Sequence, residues 1–139
     1  MQDMKDLAAI APGTALGPYR IRLGSERAEA YARAVGGPES PAYGETLPPA
    51  AIIAVGLSTL IEDLDLFSKK LLDAGGVVHT SQEAEFLAPL QRDDDVIATA
   101  KMTGNTLRRG SRFISIFTEF RNSSNDIVAT ASSTIVVPG

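Results

Sequence analysis

Cysteine is absent from the sequence, which excludes disulfides, thiolate metal ligation and a cysteine nucleophile. Histidine occurs once, as His79, so a transition-metal site within one chain would have to rest on carboxylates, and no metal is expected. No apolar run approaches the length that spans a bilayer, and no membrane partner is expected. Positive charge is also scarce. Thirteen Lys and Arg stand against 17 Asp and Glu, a formal net charge of -4, the wrong sign for a surface that neutralises nucleic-acid phosphates. The opening residues carry Asp3 and Asp6 and lack the basic start and unbroken apolar stretch of a secretory signal, so a cytoplasmic protein is expected.

What is present is the balance of a packed protein. The 139 residues are 44% hydrophobic and 22% charged, which fits one domain, 1–139, with a core of its own. Pro12, Gly13 and Gly17 mark an irregular leader, and the alternation in "PYRIRLG" predicts a first strand from Tyr19 to Leu23. In "SERAEAYARAV", Ser25 suits an N-cap and Glu26 and Glu29 suit the positive end of a helix. Ala28, Tyr31, Ala32 and Val35 share one helical face, and Gly36, Gly37 and Pro38 end it. "LPPAAIIAVGLSTLIEDL" opens with Pro48 and Pro49, tolerated in a first turn, and is apolar on nearly every face from Ala50 to Leu57. It predicts a helix buried in the middle of the fold, with Gly56 marking the close approach of another backbone. Glu62, Asp63 and Asp65 oppose the negative end of a helix dipole, so the helix either breaks near Asp65 or continues to Lys69 and Lys70.

From Val77 onward the apolar period is two. Four strands are predicted: Val77 to Leu87, Val96 to Thr103, Arg112 to Asn122 and Ile127 to Val137. "PLQRDDD", "GNTLRRG" and "NSSND" read as hairpin links between antiparallel neighbours. The fold class is therefore α+β: a strand, a helical excursion and an antiparallel meander, the sheet curved around the long helix so that each covers the other's apolar surface.

Three stretches in this order, "YARAVGGPESPAYGE" with "LPPAAI", "VVHTSQEAEFLAPLQRDDDVIATAKM" and "LRRGSRFISIFTEFRN", resemble the MaoC-like hydratase and dehydratase family of the hot-dog fold. The resemblance covers nearly the whole chain and is nearest to the half-domains that this family uses as N-terminal or partner units. It implies a single hot-dog domain, a curved antiparallel sheet wrapped around a long central helix. Catalytic members carry a loop of the form Gly-Asp-x-Asn-Pro-x-His, whose Asp and His activate water for addition across an enoyl thioester, one group taking a proton and the other delivering one. Aligning on Pro41 places Gly37 at the Gly, Ser40 at the Asn, Pro38 at the Asp and Tyr43 at the His. Proline exchanges no proton, and tyrosine ionises near 10. The loop therefore has the form of a hydratase loop without its dyad; Glu39 stands one residue from the acid's position, a shift that changes the side-chain direction in a Pro-flanked turn.

Alternation puts His79 with Ser81, Glu83 and Glu85 on the polar face of its strand, opposite Val78, Ala84 and Phe86, as a surface or interface histidine rather than a base. Arg108, Arg109 and Arg112 form the basic cluster of an acidic chain, either a solvated turn or a contact for the phosphates of coenzyme A or a carrier-protein arm. Asp93 to Asp95 read as a turn, and Glu62 and Asp63 as a solvated helix end rather than a thioesterase carboxylate.

The function implied is a non-catalytic subunit that binds or shapes an acyl-thioester site while a partner supplies Asp and His. Its ligand would be an acyl-CoA or acyl-carrier-protein thioester with no cofactor, and it would form a homodimer or a heterodimer with a catalytic MaoC-like subunit. The alternatives are a self-sufficient hydro-lyase or thioesterase using Glu39 or His79, and a non-enzymatic acyl-binding or scaffold homodimer.

Overall fold

The computed structural model describes residues 7–23, 26–36, 46–47, 50–65, 68–91 and 94–139. A single 3₁₀ turn, Leu7–Ala9, leads into β1, Ala15–Arg22, and α1, Glu26–Gly36. After β2, Thr46–Leu47, come the central helix α2, Ala51–Asp63, and the short α3, Lys69–Asp73. The remaining strands are β3, Val78–Phe86; β4, Leu90–Gln91; β5, Asp95–Arg108; β6, Ser111–Arg121; and β7, Ile127–Pro138.

Five strands form one antiparallel sheet in the order β1-β5-β6-β7-β3, and β2 pairs with β4 in a separate two-stranded ladder. The expected meander is thus β5-β6-β7 alone. β3 and β5 lie three strand positions apart, so the "PLQRDDD" segment is a crossover and not a hairpin link. The reason lies in β7: its alternating Ala129, Ala131, Ile135 and Val137 are buried on one face, and its free edge accepts β3 along the whole ladder from Val136 to Ala129. "GNTLRRG" is also mostly strand. β5 runs on to Arg108, and only Arg109 (φ +49°) and Gly110 (φ +81°) turn, both in the left-handed region that a two-residue hairpin requires.

The first strand begins at Ala15, four residues before the predicted start. Gly17 (φ +88°), assigned to the leader from the sequence, and Pro18 fall where the register slips between Leu16 and Tyr19, and a bulge absorbs them into the strand. Thr14 and Gly13 extend the ladder outward, through Met102 N–H to Thr14 O at 2.9 Å and Gly13 N–H to Met102 O at 2.7 Å.

α2 ends where the acids begin to crowd. Leu64 still donates to Leu60 O at 2.9 Å, but Asp65 adopts φ +52° and stops the helix, which settles the choice between extension and break. Ser58 and Thr59 return their hydroxyls to Ala54 O and Val55 O, so their polar atoms are satisfied inside an otherwise apolar element. Ala51, Ile52, Val55 and Leu60 are buried against the sheet. The core falls into two clusters along the helix. One gathers Ile52 and Val55 with Ile21, Val96, Phe120 and Val128. The other gathers Leu60 and Leu64 with Leu16, Met102, Ile114 and Ile135. α1 contributes Tyr31, partly buried against the first cluster. Ser25, Gly37, Pro38, Pro48 and Pro49, assigned to helix ends from the sequence, lie outside the described residues.

Candidate functional site

Residues paired across an antiparallel ladder project to the same face, so the register assigns every side chain of the sheet to one side. On the face under α2, one row reads Leu16, Ala100, Thr118, Ala131 and Ala84 across all five strands. Its four right-hand members are small. The row on one side is Tyr19, Ala98, Phe120, Ala129 and Phe86, and on the other Met102, Ile116, Ser133 and Gln82. A row of small side chains therefore crosses the sheet between rows that carry the bulkier Tyr19, Phe120 and Phe86 on one side and Met102 and Ile116 on the other, about 14 Å from Ala84 to Ala100 at ordinary strand spacing.

α2 roofs this trough of small side chains with Ile53, Gly56, Leu57 and Leu60, leaving a cavity of about 20 Å³ between the two core clusters. The floor is Ala98, Ala100 and Ala131, and the cavity's polar groups are Thr118, Ser133, Gln82 and Tyr19. Ser133 donates its hydroxyl to Gln82 Oε1 at 2.7 Å, tying β7 to β3 at the wall of the cavity. At the β1 side, Tyr19 donates its hydroxyl to Asp63 Oδ2 at 2.6 Å, joining the sheet to the end of α2. Burial, then the hydrogen bond and the negative charge of Asp63, push the Tyr19 phenol well above its ordinary value of 10.0. Tyr19 is thus a neutral donor at the rim, and Asp63 is a hydrogen-bonded carboxylate rather than a merely solvated helix end.

Gly56 does lie at a close approach, but to a side chain and not a backbone. A Cβ added there would stand 2.9 Å from Phe120 Cε1 and 3.2 Å from its Cζ. The helix backbone rests on the edge of the Phe120 ring, which sets the height of the roof above the trough.

The trough runs out to β3, the edge of the sheet, where Ala84 and Phe86 are exposed. Val78 is 58% exposed and Leu87 52%, so this edge carries uncovered apolar side chains towards its two ends, with the polar stretch from His79 to Glu83 between them. His79 also belongs here, and its face differs from the one predicted. Thr80 is an extra residue in β3: His79 pairs with Ile135 and Ser81 with Thr134, and the slip reverses the parity between them. His79 therefore projects to the side of Ile135, Gln82, Ala84 and Phe86, the helix side of the sheet, while Ser81, Glu83 and Glu85 face the other way. It is exposed.

The arginines occupy the β5–β6 end but not one face. Arg112 pairs with Leu107 and Val137 and lies on the helix side, donating to Asn105 Oδ1 at 2.9 Å. Asn105 in turn donates to Leu7 O at 2.7 Å and Ile10 O at 2.8 Å, which holds the N-terminal turn over the second core cluster. Arg108 projects to the outer face, its guanidinium 5.9 Å from the centre of the Phe113 ring, and Arg109 occupies the turn. Arg112 stands three side-chain rows from the small-residue row, about 20 Å along the strands. Asp94, in the acidic link, donates its N–H to Gln91 O and accepts from Leu23 N–H, and Asp95 opens β5 with an exposed ion pair to Arg20. Pro38, Glu39 and Tyr43, with the rest of the predicted dyad-less loop, lie outside the described residues. Among the described residues no three His, Cys, Asp or Glu side chains gather closely enough to hold a metal ion, and no helix is long and apolar enough to cross a membrane.

The sequence did not disclose the trough, because its small residues are scattered over four strands and align only through the register. A usable signal was the excess of Ala, Ser and Thr at inward positions of strands whose neighbours at the same period are Ile, Val and Phe.

No family model matches the sequence, and no curated protein matches it. Solved structures do match. The C-terminally truncated HadBC complex, a (3R)-hydroxyacyl-ACP dehydratase from Mycobacterium tuberculosis, aligns with TM-score 0.68 at 18% identity, over 96% of this chain and 98% of that one. The R-hydratase PhaJ1 of Pseudomonas aeruginosa aligns with TM-score 0.69 at 17% identity, over 95% and 84% of the two chains. A MaoC-like dehydratase from Rhodospirillum rubrum aligns with TM-score 0.57 at 16% identity, over 93% of each. With the strand order and the roofing helix, these likenesses establish the hot-dog fold.

Proposed function

We propose that this chain, a hot-dog protein whose solved structural neighbours include hydratases and dehydratases, is a MaoC-like subunit that receives the acyl part of a thioester in the trough beneath α2. The observation that carries the reading is the row Ala100, Thr118, Ala131 and Ala84, an apolar channel with a few polar groups that leads to an unpaired sheet edge. An edge strand with exposed Val78, Phe86 and Leu87 favours pairing with a second sheet, either another copy or a related catalytic chain. In that arrangement the trough opens at the junction of two subunits, where a partner's Asp and His would reach the thioester. Of the predicted arginines, Arg109, exposed in the β5–β6 turn, is the one that suits the phosphates of a coenzyme A or carrier-protein arm.

A second reading, a hydro-lyase acting without a partner's dyad, is favoured by the bulge at Thr80, which turns the single histidine towards the helix side of the sheet. Both are tested by mixing the purified chain with a short trans-2-enoyl-CoA and following the conjugated-thioester absorbance across pH, alongside thermal shift for binding. Binding without turnover supports the non-catalytic subunit. Turnover that disappears in His79→Ala supports the second reading, and the absence of both binding and turnover overturns the acyl-thioester assignment.

A further inference from the structure

We infer that the acyl group this groove accepts is short, and that the seating of α2 on Phe120 sets the limit. The inference rests on the acyl-thioester reading above. The cavity of about 20 Å³ is room for little more than one water-sized group, although the row of small side chains beneath it is long enough for a much longer chain. Length of floor is therefore not what limits the space; height of roof is.

Three contacts hold the roof down. Gly56 brings the α2 backbone onto the Phe120 ring, whose side chain is only 3% exposed and cannot swing away without opening the first core cluster. Ile21 lies beyond the same glycine, 3.4 Å from the position of an added Cβ, so the helix is seated on two side chains at once. At the other end of the cavity, Tyr19 ties the sheet to Asp63 on the last turn of α2. A longer acyl chain would have to lift a helix seated at its middle and tied at its C-terminal end, and close-packed interiors resist insertion of even a few methylenes. The two large residues at the far end, Leu16 and Leu60, are buried in the second cluster and close the path towards β1. What remains is a shallow recess reached from the β3 edge, lined by alanines and carrying the Thr118 and Ser133 hydroxyls.

The test is calorimetric titration of the purified chain with butyryl-CoA, octanoyl-CoA and lauroyl-CoA, saturated ligands whose binding needs no turnover. Butyryl-CoA is expected to bind at least about tenfold more tightly than the two longer thioesters. In Phe120→Leu, which keeps an apolar side chain in the core, the preference should fall away or reverse, and Phe120→Ala should carry the same change further if it folds. Equal or tighter binding of octanoyl-CoA or lauroyl-CoA by the natural chain would overturn the length limit while leaving the acyl site intact. A short-chain preference that survives unchanged in Phe120→Leu would remove Phe120 as its cause. Failure of all three thioesters to bind would instead overturn the acyl-thioester reading, and the limit with it.

Discussion

Tyr19 shows how a single side chain joins the two halves of the groove. Replacing it with Phe removes the hydrogen bond to Asp63 and should cost about 1 kcal/mol, read as a lower urea midpoint. Its titration adds a pH signature. Burial and the neighbouring carboxylate favour the neutral phenol in the folded chain, so the folded state holds the proton beyond the ordinary value of 10.0 while the unfolded chain releases it there. This contribution to stability is whole below pH 10.0 and is lost as pH rises above it. Urea midpoints measured on either side of that value should fall less steeply for Tyr19→Phe than for the natural chain, and identical slopes would remove Tyr19 as the source. Asn105 is the corresponding residue at the other end of the sheet. Its amide donates to two carbonyls of the N-terminal turn and accepts from Arg112, so Asn105→Ala leaves three groups without that partner. A loss of about 1–3 kcal/mol is expected, with limited proteolysis cutting first near residues 7–10. Neither role could be read from the sequence, since a tyrosine at the head of a strand and an asparagine near a turn both have common local explanations, and their partners lie 44 and 98 residues away.

The seat of α2 on the sheet is a property of two elements rather than of one residue. Gly56→Ala should force a Cβ against the Phe120 ring and cost about 1–3 kcal/mol by overpacking. If the clash is the cause, the double variant Gly56→Ala with Phe120→Leu should lose less than the sum of the single losses, and strict additivity in the denaturation cycle would contradict it. The elements themselves were legible in the sequence for physical reasons. The period-two pattern of β5, β6 and β7 persists because one face of each lies in the core, and the apolar run of α2 stands out because the helix is covered by the sheet. The parity of β3 was not legible. One added residue, Thr80, lies among His79, Ser81 and Gln82, all polar, so no break in hydrophobic alternation marks the point where the faces exchange. β2 and β4 escaped for a different reason: a ladder of two residues on each side is too short to show any period.

At the scale of the whole molecule, the exposed β3 edge is the surface that asks for a partner. Phe86→Arg places a charge on its helix-side face and should convert an associated form to monomer, measured by sedimentation velocity at several concentrations; an unchanged distribution would place the association elsewhere. The strand order was the part of the architecture that the sequence did not supply, because nothing in β3 or β5 states that they are three positions apart, and the short polar link between them reads as a hairpin. The same strand order governs the history of each molecule. β1 finds its neighbour only when residues 95–108 have been made, and β3 must wait for residues 127–138. A ribosome adding about 5–20 residues per second leaves the apolar α2 and the open β3 without their sheet for several seconds. The last strand made is therefore the one that closes the fold, and the interval before it emerges is when a chaperone has most to hold.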